Sequence, residues 1–190
     1  MRSFVAIELQ EKLRASLGKL LAELRSCGAD VKWVRPEGIH LTLKFLGEID
    51  PGQVELIRLA LGEVVSAHEP FVLTARGLGC FPRMEQARVV WVGLDGETWR
   101  LSALQREVEK ALTELGFPKE NRPFRPHLTL GRVRSPKARQ ALMSRIRSME
   151  GVDLGELQVH AVAQFKSELL PGGARYTLLW KESLGMSSKV

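Results

Sequence analysis

The sequence predicts an α+β protein of two pseudo-symmetric lobes, each a mainly antiparallel sheet backed by helices, with a central cleft between them. Two observations carry this expectation. His-Leu-Thr-Leu stands at 40–43 and again at 127–130, an offset of 87 residues. Shifting the element boundaries of the first half by 87 lands on elements of the second, so that residues of about 3–80 recur at about 90–168 within one bilobal unit spanning 1–190. Each half reads strand, helix, motif strand, helix, strand, and the period is too long for a solenoid.

Residues 4–9 (Phe-Val-Ala-Ile-Glu-Leu) read as a strand, and 11–26 as a helix with Leu13, Leu17, Leu20, Leu21 and Leu24 at helical spacing. Gly28 stops that helix, and 31–34 is a short strand that turns at Pro36-Glu37-Gly38 into the first motif strand, ending near Gly47. Asp50-Pro51 opens a second helix striped by Val54, Ile57, Leu61, Val64 and Val65. Strands follow at 71–80 and 88–94, separated by a polar turn at 83–86. A third helix over 98–113 carries Leu101, Leu104, Val108 and Leu112, and is stopped at Gly116. The second motif strand covers 126–132, and Ser135-Pro136 starts a fourth helix running to about Met149. One long strand over 156–168 matches 71–80 by offset. Pro171-Gly172-Gly173 turns into a last strand at 174–181, and the tail 183–190 is expected to fray.

With 44% apolar and 26% charged residues in 190, the composition is that of a globular chain. No apolar run nears the roughly 18 residues that span a bilayer, and residues 1–3 lead straight into the first strand without a signal-peptide core, so a cytoplasmic protein with no membrane partner is expected. Cys27 and Cys80 are the only cysteines, and no zinc ligand set is in view; neither metal nor cofactor is expected. The oligomeric state is not legible. The formal charge of +6 and pI near 9.6 favour polyanionic partners. Lys32, Arg35 and Lys44 bracket the first motif, and Arg122, Arg125, Arg132, Arg134, Lys137 and Arg139 the second.

Side chains of an extended strand alternate between faces. His40, Thr42 and Lys44 therefore share one face, and Ile39, Leu41, Leu43 and Phe45 the other; in the second copy Arg125, His127 and Thr129 oppose Leu128 and Leu130. A single His-x-Thr on a half-buried strand is most simply a hydrogen-bonded core edge. Two copies are another matter. With 29 Leu and 6 Thr in 190 residues, a second His-Leu-Thr-Leu arises by chance with a probability on the order of 0.002. Facing imidazoles suit paired acid–base catalysis, and threonine hydroxyls with Lys44 and nearby arginines suit a phosphate oxygen. Glycine-rich phosphate loops, a Gly-x-Ser-x-Gly elbow and His-Glu-x-x-His are all missing from the chain.

At these residues the chain resembles the 2H phosphoesterase superfamily and, within it, the RNA 2′,3′-cyclic phosphodiesterases historically called 2′-5′ RNA ligases. The resemblance runs through Trp33-Val-Arg-Pro, His40-Leu-Thr-Leu-Lys-Phe-Leu-Gly, Phe124-Arg-Pro-His-Leu-Thr-Leu with Arg132, Lys166-Ser-Glu-Leu and Pro171-Gly-Gly-Ala-Arg-Tyr. It implies metal-independent hydrolysis of an RNA 2′,3′-cyclic phosphate end, or of a nucleoside 2′,3′-cyclic phosphate, to a 2′-phosphate. His40 would be the proton donor to the departing 3′ oxygen, His127 the proton acceptor that activates water, and Thr42 and Thr129 the groups holding phosphate oxygens. Lys44, Phe45, Arg125 and Arg132 would bind substrate. Strand parity alone leaves the two histidines unranked and places Phe45 in the core. It brings Arg132 to the phosphate only if the strand bulges or ends at Gly131, which a glycine permits. Ser167 and Tyr176 would orient the histidines or close the cleft, and His68 and His160, without repeated partners, read as structural or exposed. Two rivals remain: the same site run backwards as a 2′-5′ RNA-joining enzyme, and a non-catalytic nucleotide- or RNA-binding module. The second would have no use for two titrating imidazoles.

Overall fold

The computed structural model describes residues 1–185. Its elements run β1 (Arg2–Glu8), α1 (Glu11–Arg25), β2 (Val31–Trp33), β3 (His40–Glu48), α2 (Gln53–Ser66), β4 (Phe71–Phe81), β5 (Val89–Gly96), α3 (Thr98–Glu114), β6 (His127–Val133), α4 (Arg139–Ser148), β7 (Asp153–Val159), β8 (Ala161–Leu170) and β9 (Gly173–Ser183). They build two sheets of order β3-β1-β8-β9 and β2-β6-β5-β4-β7, whose pairings are all antiparallel.

The α+β class and the pair of lobes agree with the sequence reading, but the lobes are not the two sequence halves. β1 lies between β3 and β8 just as β5 lies between β6 and β4, so each half lends its last strand of the repeat to the other half's sheet. Helices are exchanged as well. α3 packs on β3 while α1 packs on β7, and α2 and α4 stay with β8–β9 and β4 respectively. The leucine stripes explain the helix contacts: Leu13, Leu17, Leu21 and Leu24 of α1 and Leu101, Leu104, Val108 and Leu112 of α3 are all buried. Periodicity marks an apolar face but not which sheet will receive it.

The single long strand expected over 156–168 is two strands in different sheets. Val159 ends β7 and Ala161 begins β8, with His160 alone between them. The apolar pattern runs on through both, so nothing in it marks the break. At the other crossover Gln10, between β1 and α1, uses its side-chain amide as a short piece of strand. Its Nε2 donates to the Gln158 carbonyl at 2.7 Å, and its Oε1 accepts the Gln158 N–H at 3.0 Å. In the β1 sheet a buried polar chain is fully paired, Trp180 Nε1 to Gln164 Oε1 (2.5 Å), Gln164 Nε2 to Ser3 Oγ (2.8 Å) and Ser3 Oγ to the Phe165 carbonyl (2.9 Å). Of the tail expected to fray, Ser183 closes β9 and Leu184 is buried, its N–H bonded to the His160 carbonyl; the remainder, 186–190, lies outside the described residues. Among the described residues no helix is long and apolar enough to cross a membrane.

Candidate active site

Both motif strands carry a β-bulge at the same point of the repeat. In β3 the pairing with β1 steps from Ala6↔Thr42 to Val5↔Lys44, leaving Leu43 as the extra residue; in β6 the pairing with β5 steps from Trp91↔Thr129 to Val90↔Gly131, leaving Leu130. An extra residue inverts the alternation beyond it. Residues paired across an antiparallel ladder share a face, so the partners Glu8, Ala6 and Phe4 put His40, Thr42 and Phe45 on one face. Gly93, Trp91 and Val89 likewise put His127, Thr129 and Arg132 on one face of the second sheet. Phe45 is 70% exposed there, its ring 6.1 Å from that of Phe4. Arg132 is exposed as well.

The bulge also corrects the reading of Lys44, which does not share the face of His40 and Thr42. Its ammonium is buried against α3, donating to Glu109 Oε1 at 2.7 Å and to the Pro118 carbonyl at 2.8 Å, with the two side chains only 6% and 13% exposed. Glu109 Oε1 accepts the Glu120 N–H too, at 2.8 Å. Lys44 thus braces β3 against α3 and against the segment that leads to the second motif. The counterpart of Lys44 is Gly131, where a Cβ would come within 2.7 Å of Val31 and 2.8 Å of Trp33. There β2 occupies the space a side chain would need.

Each histidine is held in the same way. His40 Nδ1 lies 2.8 Å from the Gly38 carbonyl, and His127 Nδ1 lies 2.7 Å from the Arg125 carbonyl. A carbonyl can only accept, so Nδ1 carries the hydrogen in both rings and Nε2 is the nitrogen left to exchange a proton. Arg125 therefore serves the site through its backbone, while its side chain is exposed. The walls differ. His40 stacks on Phe4 at 4.6 Å with Tyr176 edge-on at 5.2 Å, whereas His127 meets Phe81 edge-on at 5.0 Å. Burial in its aromatic pocket pushes the His40 pKa down to about 4, only partly opposed by the bond to the Gly38 carbonyl. Burial raises the pKa of Tyr176 while the Arg132 and Arg2 cations nearby pull it back. Arg132 belongs to one sheet and Tyr176 to the other, and β3 approaches β6, so the two faces meet at one cleft. Neither Thr42 nor Thr129 has its hydroxyl bonded to another side chain among the described residues.

Arg2, Phe4, Phe81, Trp91 and Glu109 were not singled out from the sequence. Parity along β1 would have put Arg2 and Phe4 on the cleft face once its register with β3 was known, but register is a long-range property. His68 lies outside the site, paired with Glu107 at 3.0 Å, and His160 is exposed at the crossover. Among the described residues no three His, Cys, Asp or Glu side chains converge as a metal site.

The depressed His40 pKa has a measurable effect on stability. The unfolded chain takes up a proton near pH 6.5, while the folded chain refuses it until about pH 4, so stability is lost as pH falls through this window. Melting temperature should decline between pH 6.5 and 5, above the main carboxylate range, and His40→Asn should flatten that decline. An equal slope in the variant would show that the ring is solvated.

Two antiparallel sheets, each presenting a His-x-Thr strand to a shared cleft, make up the architecture of a two-histidine phosphoesterase. A family model described as LigT like Phosphoesterase matches residues 7–91 and again 92–176, and the chain belongs to that family. A relative named RNA 2′,3′-cyclic phosphodiesterase from Methanothermobacter thermautotrophicus is 38% identical over 178 residues, 93% of this chain and 95% of its own. One of the same name from Thermus thermophilus is 37% identical over 190 residues, 97% and 90% of the two chains. Among solved structures, a protein from Thermus thermophilus superposes with a TM-score of 0.79 at 33% identity, over 96% of this chain and 97% of that one. E. coli LigT complexed with 3′-AMP gives 0.78 at 27% identity, over 97% and 98%.

Proposed function

We propose that this chain hydrolyses the 2′,3′-cyclic phosphate at an RNA end, leaving a 2′-phosphate, by paired histidine acid–base catalysis. The observation that carries this reading is the pair of imidazoles, each fixed through Nδ1 to the carbonyl two residues before it and each leaving Nε2 free. The names of the relatives, RNA 2′,3′-cyclic phosphodiesterase, supply the substrate class.

The roles of the two rings follow the family resemblance. His127 Nε2 takes a proton from water as the water oxygen bonds to phosphorus; the bond from phosphorus to the 3′ oxygen breaks, and His40 Nε2 gives that oxygen its proton. Solvent then restores both rings. Thr42 and Thr129 donate to the non-bridging oxygens, with Arg132 and Arg2 offsetting their charge. Phe45, exposed on the same face as His40, offers a ring for the terminal base. His40 must be charged to donate, and its burial opposes this. The anionic diester supplies the compensating charge, so protonation of His40 accompanies substrate binding.

The decisive test is a short RNA with a 2′,3′-cyclic end, incubated with and without saturating EDTA. A 2′-phosphate product at equal rates in both is expected. A 3′-phosphate product, or activity lost to chelator and restored by one divalent metal, would overturn the mechanism. With added 5′-hydroxyl RNA, dominant formation of a 2′-5′ linkage would favour joining, and binding without turnover would favour the non-catalytic module.

A further inference from the structure

Beside His40 lies a second recess, which runs from Phe4 across β8 to β9, on the side of Phe4 away from Phe45. It has a volume of about 230 Å3, and His40 and Tyr176 form its inner wall. Phe165 and Leu178 line its floor, and Arg14 and Glu37 reach it from α1 and from the turn before β3. Leu178 is 47% exposed, an apolar side chain left open on the cleft face of the sheet. The Nε of Arg14 is buried without a hydrogen-bond partner.

We propose that this recess is a second nucleotide subsite, which takes the base of the nucleotide on the 5′ side of the reacting cyclic phosphate. The inference rests on the phosphodiesterase reading and adds to it a preference for RNA over mononucleotides. Phe45, Phe4, Phe165 and Leu178 form one apolar row across β3, β1, β8 and β9, with Phe45 at one end and the Leu178 side of the recess at the other. Phe45 and Leu178 stand in that row three strand spacings apart, roughly 14 Å, so one base cannot cover both. With the terminal base on Phe45, the recess is left for its neighbour.

The lining selects a base over a phosphate. Glu8 and Glu37 line the recess together with the single guanidinium of Arg14, and Glu8 is already paired with Lys181 at 2.7 Å, so the recess has no excess of positive charge to hold an anion. An aromatic and aliphatic floor with one donor group and one acceptor group at the rim suits a flat heterocycle whose edge carries both ring acceptors and amino donors.

The test compares kcat/KM for three probes: a nucleoside 2′,3′-cyclic phosphate, a dinucleotide ending in the same group, and that dinucleotide with its 5′ residue abasic. The wild-type protein should favour the full dinucleotide by about tenfold or more, the usual scale for one stacked base. The abasic dinucleotide, which keeps the additional phosphate, should fall to the level of the mononucleotide. Leu178→Ser and Arg14→Met should each erase most of the dinucleotide's advantage and leave mononucleotide turnover unchanged. Equal kcat/KM for the full and abasic dinucleotides in the wild type overturns the subsite even if a variant fails to fold. Turnover of none of the three probes would instead overturn the phosphodiesterase reading, and the subsite with it.

Discussion

His127→Ala and His40→Ala should each lower kcat for a 2′,3′-cyclic phosphate by about 10²–10⁴-fold, the usual worth of a positioned acid or base. Substrate binding should be largely retained, since the threonines and arginines remain. In the proposed mechanism both rings serve one displacement, so the double replacement should be little worse than either single one. The wild-type kcat/KM should be bell-shaped in pH, with limbs that belong to the coupled pair, and each single variant should lose one limb. Thr42→Ala and Thr129→Ala should lower the rate without changing the shape, because a hydroxyl stabilises charge but does not titrate in this range. His40 also packs on Phe4 and Tyr176, so His40→Gln, which keeps bulk, is the companion variant. Near wild-type turnover in any of these histidine variants would mean that the rings are structural.

Lys44→Met should destabilise the fold by about 3–5 kcal/mol, because it strands the Glu109 carboxylate in a site built for a cation. For a chain of this size that corresponds to a fall in Tm of roughly 10 °C. Adding Glu109→Leu should recover much of the loss, since removing both charges also removes the cost of burying one alone. The outcome separates two roles for this lysine. Were its ammonium to serve the substrate phosphate, kcat/KM would drop while Tm stayed within about 2 °C of the wild type.

Four cleft residues were legible without coordinates, because His40, Thr42, His127 and Thr129 precede the bulge in each copy and simple alternation holds up to that point. Beyond it the same rule misplaces Lys44 and Phe45, each onto the face the other occupies. Nothing in Leu-Lys-Phe announces an inserted residue. In the second copy Gly131 gave the hint that let Arg132 be placed on either face. The exchange of β4, β8, α1 and α3 between sheets was illegible for a different reason. Periodicity reports that a segment has an apolar face, while the partner for that face is chosen by contacts distant in sequence. The tolerance of His160 between two strands of separate sheets is of the same kind, for a one-residue link leaves no turn signal to read.

That one-residue link bears on how the cleft can move. A pocket between lobes joined by a single flexible tether commonly opens about a hinge. Here the chain passes from one side to the other between β1 and α1, β2 and β3, α2 and β4, β5 and α3, α3 and β6, and β7 and β8. Val159 and Ala161 cannot separate by more than the reach of His160, and the Gln10 amide pins a second crossing to Gln158. Six crossings and the Gln10 amide leave no single joint about which the walls could turn. In the proposed mechanism the two imidazoles are therefore placed when the chain folds, before substrate arrives. On that reading the proposed 2′-phosphate product leaves by diffusion, without a lid having to open.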